Sequence, residues 1–150
     1  MKFKPYPMRL LALLVSTIVL ASCGGGGEEL TPEEKTVELL VGKGSTTKTW
    51  SLQSVDVDGV DQTDVYSGLT IKFTEGGYIA TNGGTIWPAS GTWTFSSGSS
   101  TTIKRDDGTT VELLVTEDTL QLTLTWTKTT FGPGRVSSVS GLHKFKLVKV

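Results

Sequence analysis

The sequence predicts an all-β protein, an eight-stranded antiparallel up-and-down β-barrel preceded by one short N-terminal helix. Apolar side chains recur at every second residue from residue 47 onward, which is typical of strands with one dry and one wet face. Tight-turn sequences such as Asp106-Asp107-Gly108 separate these segments, and a segment of helical period precedes them. Eight short segments at this spacing favour a sandwich or a barrel, and closure into a barrel removes the exposed edges that invite aggregation.

A helix is predicted over residues 32–42 because both a start signal and a stop signal are present. Thr31 can cap the N terminus, Pro32 suits the first helical position, and Glu34 can complete a capping box. Gly42 provides the stop. The apolar residues form a single stripe that consists of Val37, Leu40 and Val41. We therefore expect the helix to pack as a lid or plug on the rest of the domain.

The barrel domain is predicted over residues 47–150. In its first strand the apolar parity changes between Leu52 and Val55, which predicts a bulge near Gln53 or Ser54. The cleanest alternation lies in residues 119–128, where leucines and Trp126 share one face and threonines share the other. The other alternating segments are 69–73, 78–82, 93–95, 101–105, 111–115 and 142–150.

The first residues, 1–22, are predicted to be a signal peptide. Lys2, Lys4 and Arg9 form a basic head, and an apolar run over residues 10–20 ends in small residues. This run is shorter than the roughly 20 residues that a membrane-spanning helix needs. We therefore expect the segment to be removed rather than retained as a membrane anchor.

The segment Leu20-Ala21-Ser22-Cys23 resembles the lipobox of bacterial lipoproteins. The resemblance implies cleavage before Cys23, a diacylglyceryl group on its sulfur and a further acyl chain such as palmitate on its amine. Two or three acyl chains hold a protein durably at a membrane, whereas one does so only marginally. Residues 23–31 would then be the lipidated cysteine and a flexible linker, and the membrane would be a partner. Cys23 is the only cysteine, so no intrachain disulfide can form.

The residues after Cys23 indicate where the protein is located, and the net charge indicates which partners it can bind. Glycines 24–27 differ from the aspartate-rich signal that retains lipoproteins on an inner membrane, so we expect an outer-membrane protein on the periplasmic face or the cell surface. The pair Glu28 and Glu29 resembles the surface-export signals of some lipoproteins, and an ordinary polar linker is the alternative. All 15 acidic residues follow Cys23, so the mature chain is acidic and has no electrostatic reason to bind nucleic acid.

Five segments accompany the lipobox and the short helix: Lys48-Thr49-Trp50-Ser51-Leu52, Thr70-Ile71-Lys72-Phe73, Ser90-Gly91-Thr92-Trp93, Asp118-Thr119-Leu120-Gln121-Leu122 and Phe131-Gly132-Pro133-Gly134-Arg135. With these pieces, the chain from Cys23 onward resembles the lipocalin-like lipoproteins of Bacteroidota-type bacteria. This resemblance implies a barrel that holds a small ligand.

Aromatic residues are the candidates for a ligand site. The set consists of Trp50, Phe73, Trp87, Trp93, Trp126 and Phe145. All but Trp87 are predicted to face the barrel interior, where they either line a pocket or fill the core, because an eight-stranded barrel has room for either arrangement. Trp87 and Tyr66 lie in polar loops and are predicted to stand at the rim if the barrel has an open mouth, with folding back onto the domain as the alternative for Trp87. Arg135 could stack on a tryptophan and close one barrel end, and the alternative is a solvated surface arginine.

The remaining polar residues do not match a catalytic or metal-binding pattern. Asp56, Asp58, Asp61 and Asp64 lack the spacing of a calcium loop, so we expect solvated turns rather than a metal site. His143, the sole histidine, shares its parity with Phe145 and is predicted to be partly buried. No G-x-S-x-G nucleophile motif is present.

Two functional hypotheses remain open from the sequence. In the first, a non-enzymatic, lipid-anchored and monomeric barrel without a cofactor binds a small apolar or amphipathic ligand. In the second, an accessory envelope lipoprotein with a filled core docks onto another envelope protein. A connected interior cavity of about 300 Å³ or more, lined by Trp50, Trp93 or Trp126, favours the first hypothesis. The absence of such a cavity, together with an apolar patch on the outside, favours the second.

Overall fold

The computed structural model describes residues 27–150, so the predicted signal peptide and Cys23 lie outside the described residues. In chain order this part of the chain contains helix α1 (Pro32–Val41), a 3₁₀ turn η1 (Thr63–Tyr66) and eleven strands. The strands are β1 (Thr49–Val57), β2 (Val60–Asp61), β3 (Thr70–Thr74), β4 (Gly77–Thr81), β5 (Ser90–Phe95), β6 (Thr102–Arg105), β7 (Thr110–Val115), β8 (Thr119–Trp126), β9 (Thr130–Gly132), β10 (Arg135–Ser138) and β11 (Gly141–Lys149).

Eight of these strands form a closed antiparallel barrel. Each barrel strand pairs with the next along the chain, in the order β1, β3, β4, β5, β6, β7, β8 and β11. The pairing of β11 with β1, over a register that runs from Trp50 opposite Lys149 to Val57 opposite His143, closes the circle. The up-and-down topology predicted from the alternation is therefore confirmed, as is the single short helix before it.

Strand β1 carries the predicted bulge. Its register against β11 shifts between Leu52 and Ser54, which leaves Gln53 as the extra residue. The bulge reverses the parity, so Trp50 before it and Val55 and Val57 after it are all buried in the same interior. Without the extra residue, one half of this long strand would present its apolar side chains to solvent.

Helix α1 covers one end of the barrel, which we call the helix end. Its capping box forms as predicted, because the Thr31 hydroxyl accepts from the Glu34 amide and the Glu34 carboxylate accepts from the Thr31 amide. The indole of Trp50 donates to the Leu40 carbonyl at 2.9 Å. Lys48, which is buried, donates to the Leu39 carbonyl at 3.0 Å. These two bonds attach the last turn of the helix to the first barrel strand.

The opposite end, which we call the loop end, is covered by η1, by the loop of residues 82–89 and by the β9–β10 hairpin. The hairpin pairs Arg135 with Gly132 and Val136 with Phe131. The Val139 amide donates to the Tyr66 hydroxyl at 3.4 Å, which joins η1 to the segment that follows the hairpin. Both barrel ends are therefore covered by segments of the described chain.

Candidate functional site

The centre of the barrel is occupied by Trp87. Its side chain is 1% exposed although it comes from a loop at the loop end. The indole lies edge-on to Phe73, Tyr78 and Phe145, with ring centroids 6.4, 5.5 and 6.3 Å away. Edge-to-face packing at these distances is favourable beyond the area it buries. Of the two alternatives predicted for Trp87, a rim position or folding back onto the domain, the structure shows the second.

A tight turn places Trp87 in the interior. The Trp87 amide donates to the Gly83 carbonyl at 3.1 Å, and Ile86 beside it is fully buried. A Cβ atom built on Gly83 would lie 2.3 Å from the Trp87 Cβ, far inside contact distance. Only glycine therefore lets the loop fold back closely enough to insert the indole into the barrel.

A buried arginine stands over this tryptophan. The guanidinium carbon of Arg105 lies 4.8 Å from the Trp87 ring centroid, and its Nη1 donates to the Ile86 carbonyl at 2.6 Å. Asp107, on the turn that follows, forms an ion pair with the same guanidinium. Burial alone would raise the pKa of Asp107, but hydrogen bonds from Arg105 and Thr109 and the guanidinium charge outweigh it and hold this pKa below its ordinary value. Arg105 thus makes the cation–π contact that we expected of Arg135, whose side chain lies outside the described part of the structure.

Tyr66 and His143 form a second buried polar contact, 3.0 Å between the hydroxyl and Nε2. His143 Nδ1 lies 3.0 Å from the Gly141 carbonyl, so we assign the proton to Nδ1, and the tyrosine hydroxyl then donates to Nε2. Burial lowers the pKa of His143, and it outweighs the hydrogen bond to Gly141 and the charge of Asp58, which act in the opposite direction. The imidazole is therefore neutral, and each of its nitrogens has a hydrogen-bond partner.

The six predicted ligand residues differ in their surroundings. Trp50, Phe73 and Phe145 are fully buried on the strands, and Trp87 joins the last two at the centre. Trp93 donates its indole N–H to the Gly77 carbonyl at 2.9 Å and contacts Phe73 edge-on. Trp126 is only partly buried at the loop end, and within the described residues its indole nitrogen has no hydrogen-bond partner. The structure therefore brings most of this set together as mutually packed side chains.

Of the open grooves on the described part of the chain, two are lined by a tryptophan from the predicted ligand set. The first, about 1050 Å³, runs along the outer wall of β7, β8 and β11 and reaches Trp126. The second, about 860 Å³, lies between α1 and the end of β5 and reaches Trp93. Trp50, Phe73, Trp87 and Phe145 line neither groove.

The aspartates near Gly59 act as turn acceptors. Asp56 accepts from the Gly59 amide at 2.9 Å, Asp61 from the Thr63 amide at 2.8 Å, and Asp58 from the Leu142 amide at 2.9 Å. Over residues 27–150, no three histidine, cysteine, aspartate or glutamate side chains lie close enough together to hold a metal ion. These carboxylates thus order the β1–β2 turn and join it to β11, as short polar side chains in turns commonly do.

Sequence reasoning missed Arg105 and placed Tyr66 incorrectly as a possible rim residue. A signal for Arg105 was present, because it shares the inward parity of Ile103 in strand β6. Tyr66 lies in the 3₁₀ turn η1, where no alternation marks the buried face. Its burial depends on contact with His143 and Phe145, which lie far away in sequence.

The fold and the interior define the class of protein: a small closed β-barrel with an aromatic core and both ends covered. Comparison of the chain with protein-family models, with curated proteins and with solved structures found no match. Within the part of the chain that the structure describes, no helix has the length and apolar character needed to cross a membrane.

Proposed function

We propose that this protein is a non-catalytic, lipid-anchored envelope lipoprotein whose rigid barrel acts through its outer surface by docking onto another envelope protein. The observation that carries the proposal is the position of Trp87. A barrel that holds a ligand needs open space at its centre, and here an indole from a loop occupies that space. The side chains around it are themselves buried and in contact, so the interior is a packed core.

The proposed attachment rests on the lipobox-like segment that ends in Cys23. Residues 24–31 form a short glycine-rich and acidic connection between this cysteine and the cap of α1. A connection of this length, at most about 3.5 Å per residue, would keep the helix end near the membrane surface. Fully extended, the eight residues would span about 28 Å, which leaves room for a partner protein at the helix end.

Anchoring is tested by growing the host bacterium with a clickable palmitate analogue. The wild-type chain is expected to take up the label and to fractionate with the outer membrane, whereas Cys23→Ala is expected to lose the label and leave the membrane fraction. An unlabelled wild-type chain, or label that persists in Cys23→Ala, would contradict the proposed attachment.

Native mass spectrometry of the protein purified from its own host tests whether the barrel interior binds a small molecule. We expect the wild-type mass to correspond to the lipidated chain alone. The Trp87→Ala variant serves as the positive control, because the cavity it opens lies between the rings of Phe73, Tyr78 and Phe145, with the Arg105 guanidinium on one side, and has room for a small aromatic molecule such as benzene. A small molecule that co-purifies with the wild-type chain and is lost on unfolding would instead support the ligand-binding hypothesis.

A further inference from the structure

Helix α1 leaves an open groove beside it at the helix end of the barrel. Helix α1 seals the interior above Trp50, but it leaves the end of β5 uncovered beside it. The open groove of about 860 Å³ fills this remaining space between α1, the β3–β4 turn and β5. We call it the helix-end groove.

The floor of the helix-end groove is apolar. It consists of Leu30, Val37, Trp93 and Phe95. Trp93 is almost fully buried, Val37 and Phe95 are half-buried against the core, and Leu30 is 40% exposed. A floor of this kind, with two aromatic rings in edge-to-face contact 5.3 Å apart, offers a partner a rigid apolar surface.

The rim of the same groove is acidic. Five glutamates line it, and Lys43 is its one basic residue. Lys43 is already paired with Glu38 at 2.9 Å, and the Glu34 carboxylate closes the capping box. Within the described chain, neither Glu33 on the helix nor Glu75 on the β3–β4 turn forms an ion pair, and the two line the groove from different elements.

We propose that the helix-end groove is a docking site for a basic amphipathic segment of a partner protein. Apolar side chains of that segment would contact Phe95 and Leu30, and lysine or arginine side chains would pair with Glu33 and Glu75. Charge complementarity selects this occupant, because an acidic rim is repelled by anionic lipid headgroups and by acidic peptides. The inference rests on the proposed docking function and names its surface and the chemistry of the partner.

The test measures peptide binding to the chain from residue 24, because the closed barrel, its helix and its core all lie within residues 27–150. The probe is a fluorescent 14-residue helical peptide of leucine and lysine, and a leucine–glutamate peptide of equal length is its charge control. We expect saturable binding of the lysine peptide that weakens as salt rises, and no binding of the glutamate peptide.

Variants assign that binding to the groove. Phe95→Thr and the double variant Glu33→Lys with Glu75→Lys are each expected to weaken binding about tenfold or more. The matched controls are Leu114→Thr and Glu112→Lys on the outer wall of β7, away from this groove, and they are expected to leave binding unchanged. Thermal melts verify that every variant is folded before its affinity is interpreted.

Several results would overturn the inference. These are equal binding of both peptides, equal loss in the groove and control variants, or assembly of the chain with itself through the groove. Failure here is distinguishable from failure of the proposed function. Absence of peptide binding with an empty barrel interior rejects this groove alone, whereas a small molecule bound inside the barrel rejects the docking function.

Discussion

Replacing Trp87 with alanine gives the sharpest test of the packed interior. The indole is 1% exposed and contacts three other rings, so the substitution removes the largest side chain from the centre of the core. Truncation of a buried tryptophan to alanine costs roughly 3–5 kcal/mol, because contacts are lost and a cavity remains. Arg105 also loses the ring beneath its guanidinium, which places the expected loss near the upper end of that range.

A second substitution separates volume from hydrogen bonding. Within the described residues the Trp87 indole nitrogen has no hydrogen-bond partner, so Trp87→Phe removes volume without breaking a hydrogen bond. We expect Trp87→Phe to lower the free energy of unfolding by about 1–2 kcal/mol, which is less than the loss expected for Trp87→Ala. A tryptophan whose hydrogen bond mattered would show a larger loss in the phenylalanine variant.

The assay is equilibrium unfolding in urea, followed by circular dichroism and extrapolated to zero denaturant. A loss of this size is a large fraction of the roughly 5–15 kcal/mol that stabilises an ordinary domain. If the free energy of unfolding of Trp87→Ala were within about 1 kcal/mol of the wild-type value, the indole would not be packed at the barrel centre. The interior would then have room for a ligand, and the argument for surface docking would fail.

Three further predictions follow from single contacts. Burial lowers the pKa of His143, so the unfolded state binds the proton more readily than the folded state. The free energy of unfolding should therefore fall as the pH drops below about 6.5, by at most about 1.4 kcal/mol per pH unit. Urea titrations should show a smaller fall in the His143→Gln variant. Gly83→Ala should destabilise the fold by about 1–3 kcal/mol in the same assay because its Cβ would collide with Trp87, whereas Gly27→Ala, with nothing within 4 Å, should have no effect. Lys48→Met should speed amide hydrogen exchange in α1 by about tenfold or more, because the ammonium group loses its hydrogen bond to the Leu39 carbonyl as well as its hydrogen bond and ion pair to Glu117 in the β7–β8 turn. The barrel strands should stay protected, and uniformly faster exchange throughout the chain would contradict a local attachment.

The barrel was predictable because its signals are local. Side chains alternate across a strand with period 2, so each burial pattern can be read directly from the residues of that strand. The bulge at Gln53 was predictable for the same reason, since a change of parity within one strand needs one extra residue. The cap of α1 likewise depends on three positions in one turn.

The interior was harder to predict because it is filled from a loop. No period marks Ile86 and Trp87, and their burial follows from a close approach at Gly83 and from Arg105 above them. The same limit applies to Tyr66, whose hydroxyl meets His143 from a different part of the chain. Whether the strand aromatics line a pocket or fill a core could therefore not be read from the strands.

Residue order along the chain is enough to specify eight two-faced strands, one capped helix and a net negative charge from residue 23 onward, because strand geometry follows from neighbouring residues and net charge from composition. Only closure of the sheet reveals that Trp87 takes the central space and that a groove remains beside α1. Both features depend on how volumes from distant segments add up inside and around one barrel. The pattern of residues within one strand does not specify how side chains from distant segments pack against each other.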